Sequence, residues 1–358
     1  MGTRATADST DALWHTRTEV SMISDAWGAH RRSGGGLRRF FLGKVMLSTV
    51  TLATGLAAST FAASDSSASG HGSVASTQQV LDAVKAAQSI TRVPSDLTPK
   101  LTDETDIEVL NNGDCPSHYS APKVGIDALH FGECTYGDPS ANRLLVIFGD
   151  SHAGMWLTAI RYAAARTGWR VRIFYLPGCP SPDLTFYSVQ TDSPNYACNE
   201  FRTDAIKAIR QLHPAMVVVT SASIQHVSAD GLATSAQWET GYDATLSMLK
   251  MPDTRLVVMG DIPYLAQDDP ICLAAHETDA SACATPVAAA ETGVLTSAEQ
   301  RAAAANGAEY IQPEPWICAT LCVPIVGNMR VYDDGYHLSA TYEKYLSGAV
   351  QSALKLGA

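Results

Sequence analysis

The sequence predicts an α/β protein, a three-layer αβα sandwich with a mainly parallel five-stranded sheet. From Arg143 onward, short apolar runs typical of buried strands alternate with longer segments of helical periodicity. The chain has 358 residues and 46% of them are hydrophobic, which suffices for one large α/β domain with additional segments. Because ligands of parallel sheets bind beyond the carboxyl ends of the strands, we expect the functional residues at that edge.

The predicted elements follow from this alternation. The strands are expected at Leu144–Phe148, Val171–Leu176, Met216–Thr220, Leu256–Met259 and Tyr310–Gln312. The helices are expected at Thr77–Ile90, Gly154–Thr167, Asn199–Leu212, Ser235–Leu249, Ser297–Asn306 and Ser339–Leu354. Ser339 is expected to be the N-cap of the last helix, because a serine side chain can accept a hydrogen bond from a first-turn amide.

Residues 1–63 are predicted to be an N-terminal extension with an export signal. Arg38 and Arg39 precede Phe-Phe-Leu and a moderately apolar run, as in a twin-arginine signal, although Leu37 departs from the usual pattern. We expect cleavage near Ala63. The alternative is an uncleaved membrane anchor formed by residues 45–63, and translation could also start at Met22. Either way, the protein is expected to be exported and extracytoplasmic, in the cell envelope or secreted.

The remainder divides into two parts. Residues 64–109 are rich in Ser, Ala and polar residues and are predicted to be a linker with a short helix. Residues 110–358 contain the strand–helix alternation and are predicted to be the catalytic domain. The formal net charge of −11 argues against nucleic acid as a partner, because phosphate binding needs an excess of Lys and Arg.

Eight cysteines agree with export, because an even number suits an oxidising compartment. Nearest-neighbour pairing predicts the disulfides Cys115–Cys134, Cys179–Cys198, Cys272–Cys283 and Cys318–Cys322. No C-x-x-C pair is present, so we expect no metal site, and nothing in the sequence calls for a cofactor.

The chemistry is expected at Gly149-Asp150-Ser151-His152, where the first buried strand ends. A serine nucleophile needs a base and an orienting group. Of ten histidines, His337 is the best base, because Asp334 precedes it by three residues and a helix follows. A D-x-x-H turn can place the carboxylate against Nδ1 and leave Nε2 for the serine. Asp333 is the alternative orienting acid.

These motifs together resemble the SGNH (GDSL-like) hydrolase superfamily, which has a flavodoxin-like sandwich. The resemblance is strongest to the SGNH domain fused to membrane acyltransferase-3 proteins, which O-acylate envelope carbohydrates, and it covers about residues 110–357. The residues that carry it are the GDSH stretch, Gly178-Cys179-Pro180, Gly260 to Cys272, Trp316 to Cys318, Cys322 and the stretch Tyr332 to Ser339.

The resemblance implies Ser151 as nucleophile, His337 as general base and Asp334 as its orienting acid. The backbone N–H of Ser151 and Gly178 would bind the oxyanion. The asparagine that the family usually carries after the third strand is missing, which leaves Ser221 and Ser223 as candidates for the third donor.

Three other features have ordinary explanations. Asp150 is expected to cap or brace the turn. His152 either lines the pocket or is simply the start of a helix. Gly260-Asp261 looks like a second copy of the first motif, but no serine follows, so it is interpreted as a strand-end turn.

The predicted function is a serine O-acyltransferase or carboxylic ester hydrolase acting on acetyl-like groups of cell-envelope carbohydrate. Only one apolar segment is present, so this chain is not expected to bring an acyl group across a membrane itself. It would take an acyl group that is already outside, receive one from a separate membrane acyltransferase, or only remove such groups. The expected substrate is an envelope glycan or an acylated carbohydrate. Two rivals stay open: a non-catalytic glycan-binding module on the same fold, and a lipase or lysophospholipase.

Overall fold

A computed structural model of the chain describes residues 74–103, 106–107, 135–290 and 293–357. The predicted export segment and the predicted Cys115–Cys134 disulfide lie outside the described residues. Within the described ranges, none of the helices combines the length and apolar composition that crossing a bilayer requires. Export and the alternative anchor at residues 45–63 therefore stay predictions.

The centre of the fold is a six-stranded sheet with strand order β1-β3-β2-β4-β5-β6. The strands are β1 (Tyr136–Gly137), β2 (Arg143–Gly149), β3 (Trp169–Tyr175), β4 (Met216–Thr220), β5 (Arg255–Met259) and β6 (Glu309–Ile311). Strands β2 to β6 are parallel, as predicted. The predicted count of five omitted β1, an antiparallel edge strand. Its two residues are too few to produce a periodic pattern.

Seven α-helices lie in the described part of the chain. They are α1 (Thr77–Ala87), α2 (Ser151–Thr167), α3 (Tyr196–Leu212), α4 (Ser235–Leu249), α5 (Asp269–Ala275), α6 (Gly293–Asn306) and α7 (Ala340–Ala353). Short two-residue and three-residue ladders pair Tyr187–Ser188 with Ser193–Pro194, His226–Ser228 with Gly231–Leu232, Thr285–Pro286 with Leu321–Cys322, and Ile325–Val326 with Met329–Arg330.

The sandwich follows from the alternation of side chains along the buried strands. In β2, Leu145 and Ile147 join the hydrophobic cluster that includes residues of α1, α2 and α7. Val146 and Phe148 point to the opposite face, into the cluster that includes residues of α3, α4 and α6. Both faces of the sheet are therefore covered by helices, which confirms the predicted three layers.

Helix α1 lies inside the segment that was predicted to be a linker. Its residues Val80, Val84 and Ala87 are buried in the same cluster as the inner face of α7. The helix begins with a capping box, in which Ser76 and Gln79 each bond the other's backbone N–H. The division of the chain at residues 63 and 109 stays a prediction.

Three of the four predicted disulfides are present: Cys179–Cys198, Cys272–Cys283 and Cys318–Cys322. Cys179–Cys198 fastens the turn after β3 to the first turn of α3. This bridge closes a loop of 19 residues at the edge of the sheet where the carboxyl ends of the strands meet.

Candidate active site

Ser151 is the first residue of α2, immediately beyond the end of β2. Asp150 is the N-cap, and its carboxylate accepts a hydrogen bond from the backbone N–H of His152 at 2.9 Å. The same carboxylate accepts the backbone N–H of Ala222 at 3.0 Å, just past the end of β4. Asp150 therefore braces the turn, as predicted, and its burial raises its pKa to about 6.

His337 lies in the loop before α7, and its Nε2 is 2.9 Å from the Oγ of Ser151. Its Nδ1 is 2.8 Å from a carboxylate oxygen of Asp334. The other Asp334 oxygen accepts the backbone N–H groups of Tyr336 at 2.8 Å and His337 at 2.6 Å. The fold thus brings the three residues predicted as nucleophile, base and orienting acid into one hydrogen-bonded chain.

Two opposing effects set the ionisation of Asp334. Burial raises its pKa, but the charge of His337 and the hydrogen bonds from Tyr336 and His337 outweigh it, so the pKa lies below its usual value. The carboxylate is therefore ionised over the neutral range and can orient the imidazole through Nδ1.

Asp333, the alternative acid, has other partners. It forms a salt bridge with buried Arg330 at 3.1 Å and accepts the backbone N–H of Asp106 at 2.7 Å. Its backbone N–H donates to the carbonyl of His337 at 2.8 Å, which fixes the shape of the loop. The structure therefore pairs Asp334, and not Asp333, with the ring of His337.

Gly178 and Ser221, which were predicted to bind the oxyanion, lie at the edge of the sheet where the carboxyl ends of the strands meet. Gly178 is exposed in the turn that follows β3, and this turn is tied to the nucleophile strand because Leu176 N–H donates to the carbonyl of Gly149 at 3.2 Å. Ser221 is buried, and its hydroxyl accepts the N–H of Ser181 at 2.7 Å and donates to the carbonyl of Thr220 at 2.7 Å. The Ser221 hydroxyl thus braces the Ser181 turn.

Ser223, the other candidate for the third oxyanion donor, is hydrogen-bonded to Asp261. Asp261 in turn belongs to a histidine–aspartate pair that was not predicted from the sequence. Both the N–H and the hydroxyl of Ser223 donate to one oxygen of Asp261, at 2.8 and 2.7 Å. The other Asp261 oxygen lies 2.6 Å from Nδ1 of His152. His152 and Asp261 therefore form a second buried histidine–aspartate pair beside the nucleophile.

The available signal for this pair was the repetition of Gly-Asp at two strand ends. Gly149-Asp150 lies at the end of β2 and Gly260-Asp261 directly follows β5, and the carboxyl ends of parallel strands share one edge. The interpretation of Gly260-Asp261 as a strand-end turn did not predict the hydrogen bond between Asp261 and His152. Burial lowers the pKa of His152, but the carboxylates of Asp261, Asp150 and Asp334 outweigh burial and raise the pKa above its usual value.

Comparison with known families agrees with this geometry. The family model described as "SGNH domain (fused to AT3 domains)" matches residues 114–352, more than half of the chain. The chain belongs to this SGNH-domain family. The matched range confirms the resemblance predicted over residues 110–357.

Solved structures similar to this SGNH domain include the Salmonella ser. Paratyphi A lipopolysaccharide acetyltransferase periplasmic domain. That match has 16% identity and a TM-score of 0.50, and it covers 60% of this chain and 84% of the other. Est24, a carbohydrate acetylesterase from Sinorhizobium meliloti, matches at 16% identity with a TM-score of 0.37, covering 60% and 99%. No curated protein matches the chain.

Proposed function

We propose that this SGNH domain is an exported serine enzyme that transfers or removes acetyl-like groups on cell-envelope carbohydrate through an acyl-serine intermediate. The observation that supports it is the chain of hydrogen-bond distances from Ser151 Oγ to His337 Nε2, 2.9 Å, and from His337 Nδ1 to Asp334, 2.8 Å. A serine hydroxyl, a neutral imidazole and an ionised carboxylate in this order are what nucleophilic attack on an ester requires.

In the first half-reaction, the Ser151 Oγ attacks the carbonyl carbon of the acyl donor while its proton passes to Nε2 of His337. Asp334 holds the Nδ1–H and stabilises the imidazolium that forms. When the tetrahedral intermediate collapses, the bond to the leaving alcohol breaks and His337 returns the proton to that oxygen. The acyl group is then esterified to Ser151.

The oxyanion needs donors that are in place before the reaction. The N–H groups in the first turn of a helix have no intrahelical partner, and Ser151 begins α2, so its N–H is the first proposed donor. Gly178, in the exposed turn next to the end of β2, is the second. Ser221 would act indirectly, by holding the neighbouring Ser181 turn in place.

In the second half-reaction, His337 removes a proton from the acceptor, whose oxygen attacks the acyl carbon, and the proton then returns to Ser151. Water as acceptor yields a carboxylic acid, and a sugar hydroxyl yields a new ester. A carbohydrate substrate is favoured because the family model describes SGNH domains fused to AT3 domains, and one similar structure is titled a lipopolysaccharide acetyltransferase domain. A separate membrane acyltransferase would supply the acyl group.

The proposal is tested by measuring ester turnover with the purified full-length chain. We expect acetyl and propionyl esters to be hydrolysed faster than octanoyl esters. Adding a carbohydrate acceptor should raise the steady-state rate of release of the leaving group, because it adds a second route for breakdown of the acyl-enzyme, the step that we expect to limit turnover. Mass spectrometry of the acceptor then shows whether it has gained an acyl group.

Other outcomes would point to the rival functions. A marked preference for long acyl chains would replace the carbohydrate proposal with a lipase or lysophospholipase. An absence of ester turnover, together with no labelling of Ser151 by a fluorophosphonate, would favour the non-catalytic glycan-binding module. Hydrolysis with no acylated sugar from any acceptor would restrict the function to deacylation.

A further inference from the structure

The pair formed by His152 and Asp261 has no part in the reaction described above, yet it adjoins the reacting groups. His152 directly follows Ser151, and its side chain is completely buried. Its ring packs edge-on against the ring of His337, with centroids 5.0 Å apart and an interplanar angle of 62°. A carboxylate oxygen of Asp261 lies 2.6 Å from Nδ1 of the His152 ring.

Asp261 is itself held firmly. Besides His152, its oxygens accept hydrogen bonds from four donors: the N–H and hydroxyl of Ser223, the N–H of Ile262 and the hydroxyl of Tyr264. These donors come from the loops that follow β4 and β5. Burial raises the pKa of Asp261, but His152 and these hydrogen bonds outweigh it and keep the pKa below its usual value.

The side chain of His152 forms one hydrogen bond within the described residues. Within the described residues its Nε2 has no hydrogen-bond partner, so its side-chain hydrogen bonding rests on Nδ1 and Asp261. A histidine fixed in this way by a carboxylate has one ring orientation, as a ligating or catalytic histidine does. The surface that it presents to His337 is therefore also fixed.

We propose that His152, held by Asp261, is a positioning residue for the general base: it fixes the His337 ring in the orientation in which Nε2 accepts the proton of Ser151. This inference rests on the proposed function. His152 touches neither the serine hydroxyl nor, on this account, the substrate. Its effect should therefore appear in kcat, while KM should stay close to its wild-type value.

The decisive variant is His152→Asn. The asparagine amide nitrogen can replace Nδ1 in the hydrogen bond to Asp261, so this interaction is kept while the ring beside His337 is lost. We expect kcat to fall by roughly tenfold to hundredfold. KM should stay close to its wild-type value, because the lost ring packs against His337 and not against the substrate.

The matched control is His213→Asn. His213 is exposed at the end of α3 in the left-handed conformation, which asparagine tolerates well, so this variant should keep the wild-type kcat and KM. Asp261→Asn is the companion variant: it keeps the size of the side chain but removes the charge that anchors His152. We expect a lower kcat for it and a KM close to the wild-type value.

The possible results separate the two proposals. An unchanged kcat in the His152→Asn protein would overturn the positioning role and leave the proposed function intact. A lower kcat together with a raised KM and a lowered melting temperature would mean that His152 only supports the fold. A wild-type protein that is inert to esters and to a fluorophosphonate would instead overturn the proposed function.

Discussion

Replacing Ser151 with alanine should abolish ester turnover, with kcat/KM lowered by roughly 10⁴-fold or more. The change removes the oxygen that attacks the substrate and the proton that His337 accepts, so no acyl-enzyme can form. The effect on folding should be small, because Ser151 is only partly buried and its side chain contributes one hydrogen bond, to His337. Initial rates with an acetyl ester, together with thermal unfolding, measure both effects.

The matched control for this substitution is Ser228→Ala. Ser228 is an exposed serine in a short ladder after β4, and we expect its variant to keep wild-type activity. A Ser151→Ala protein that is folded and retains more than a few per cent of the wild-type rate would show that another group is the nucleophile. Comparable losses in both variants would indicate a general defect of the preparation.

The second large effect is expected from Gly149→Ala, at the end of the nucleophile strand. A Cβ added to Gly149 would lie 1.9 Å from the carbonyl oxygen of Thr220 and 3.2 Å from the Cβ of Ala153. Thr220 is paired with Gly149 in the parallel sheet, so its backbone cannot retreat without breaking the β2–β4 ladder. We expect the free energy of unfolding to fall by roughly 3 kcal/mol or more, as measured by urea denaturation.

The comparison variant for Gly149→Ala is Gly168→Ala, at the C-cap of α2. Gly168 has a φ of 67° but open space where a Cβ would go, so only the left-handed backbone should cost stability, about 1–2 kcal/mol. A Gly149→Ala protein as stable as Gly168→Ala would contradict the close contact between β2 and β4. Because Ser151 follows two residues later, loss of activity is also expected in any folded Gly149→Ala protein.

The parts of the fold that were predictable are those with a strong local pattern. Strand β4 and helix α4 have the predicted bounds, because β4 is Met216 followed by β-branched residues only, and α4 is marked by the capping pair Thr234 and Gln237. Helix α2 begins three residues earlier than predicted. Glycine and small residues in its first turn weaken the helical pattern, and the Asp150 cap, which compensates for this, looks in sequence like any polar turn.

The site was predictable to the extent that its residues carry local motifs. Asp334 and His337 lie within one turn, and Ser151 follows a strand, so short-range spacing was enough to propose them. His152 and Asp261 are 109 residues apart, and their hydrogen bond exists only because β2 and β5 end at the same edge of the sheet. Likewise, the hydroxyl of Ser221 could be assigned to the Ser181 turn only once β4 and the loop after β3 were seen side by side.

The most direct test of the central claim is to look for the acyl group on Ser151. The full-length chain is mixed with an activated acetyl ester, quenched in acid within the first turnovers, digested and analysed by mass spectrometry. We predict one acetyl group per chain, on the peptide that contains Ser151, and its disappearance when a carbohydrate acceptor is added before the quench. Turnover of the ester with no acyl group on Ser151, or with the group on another residue, would contradict the account.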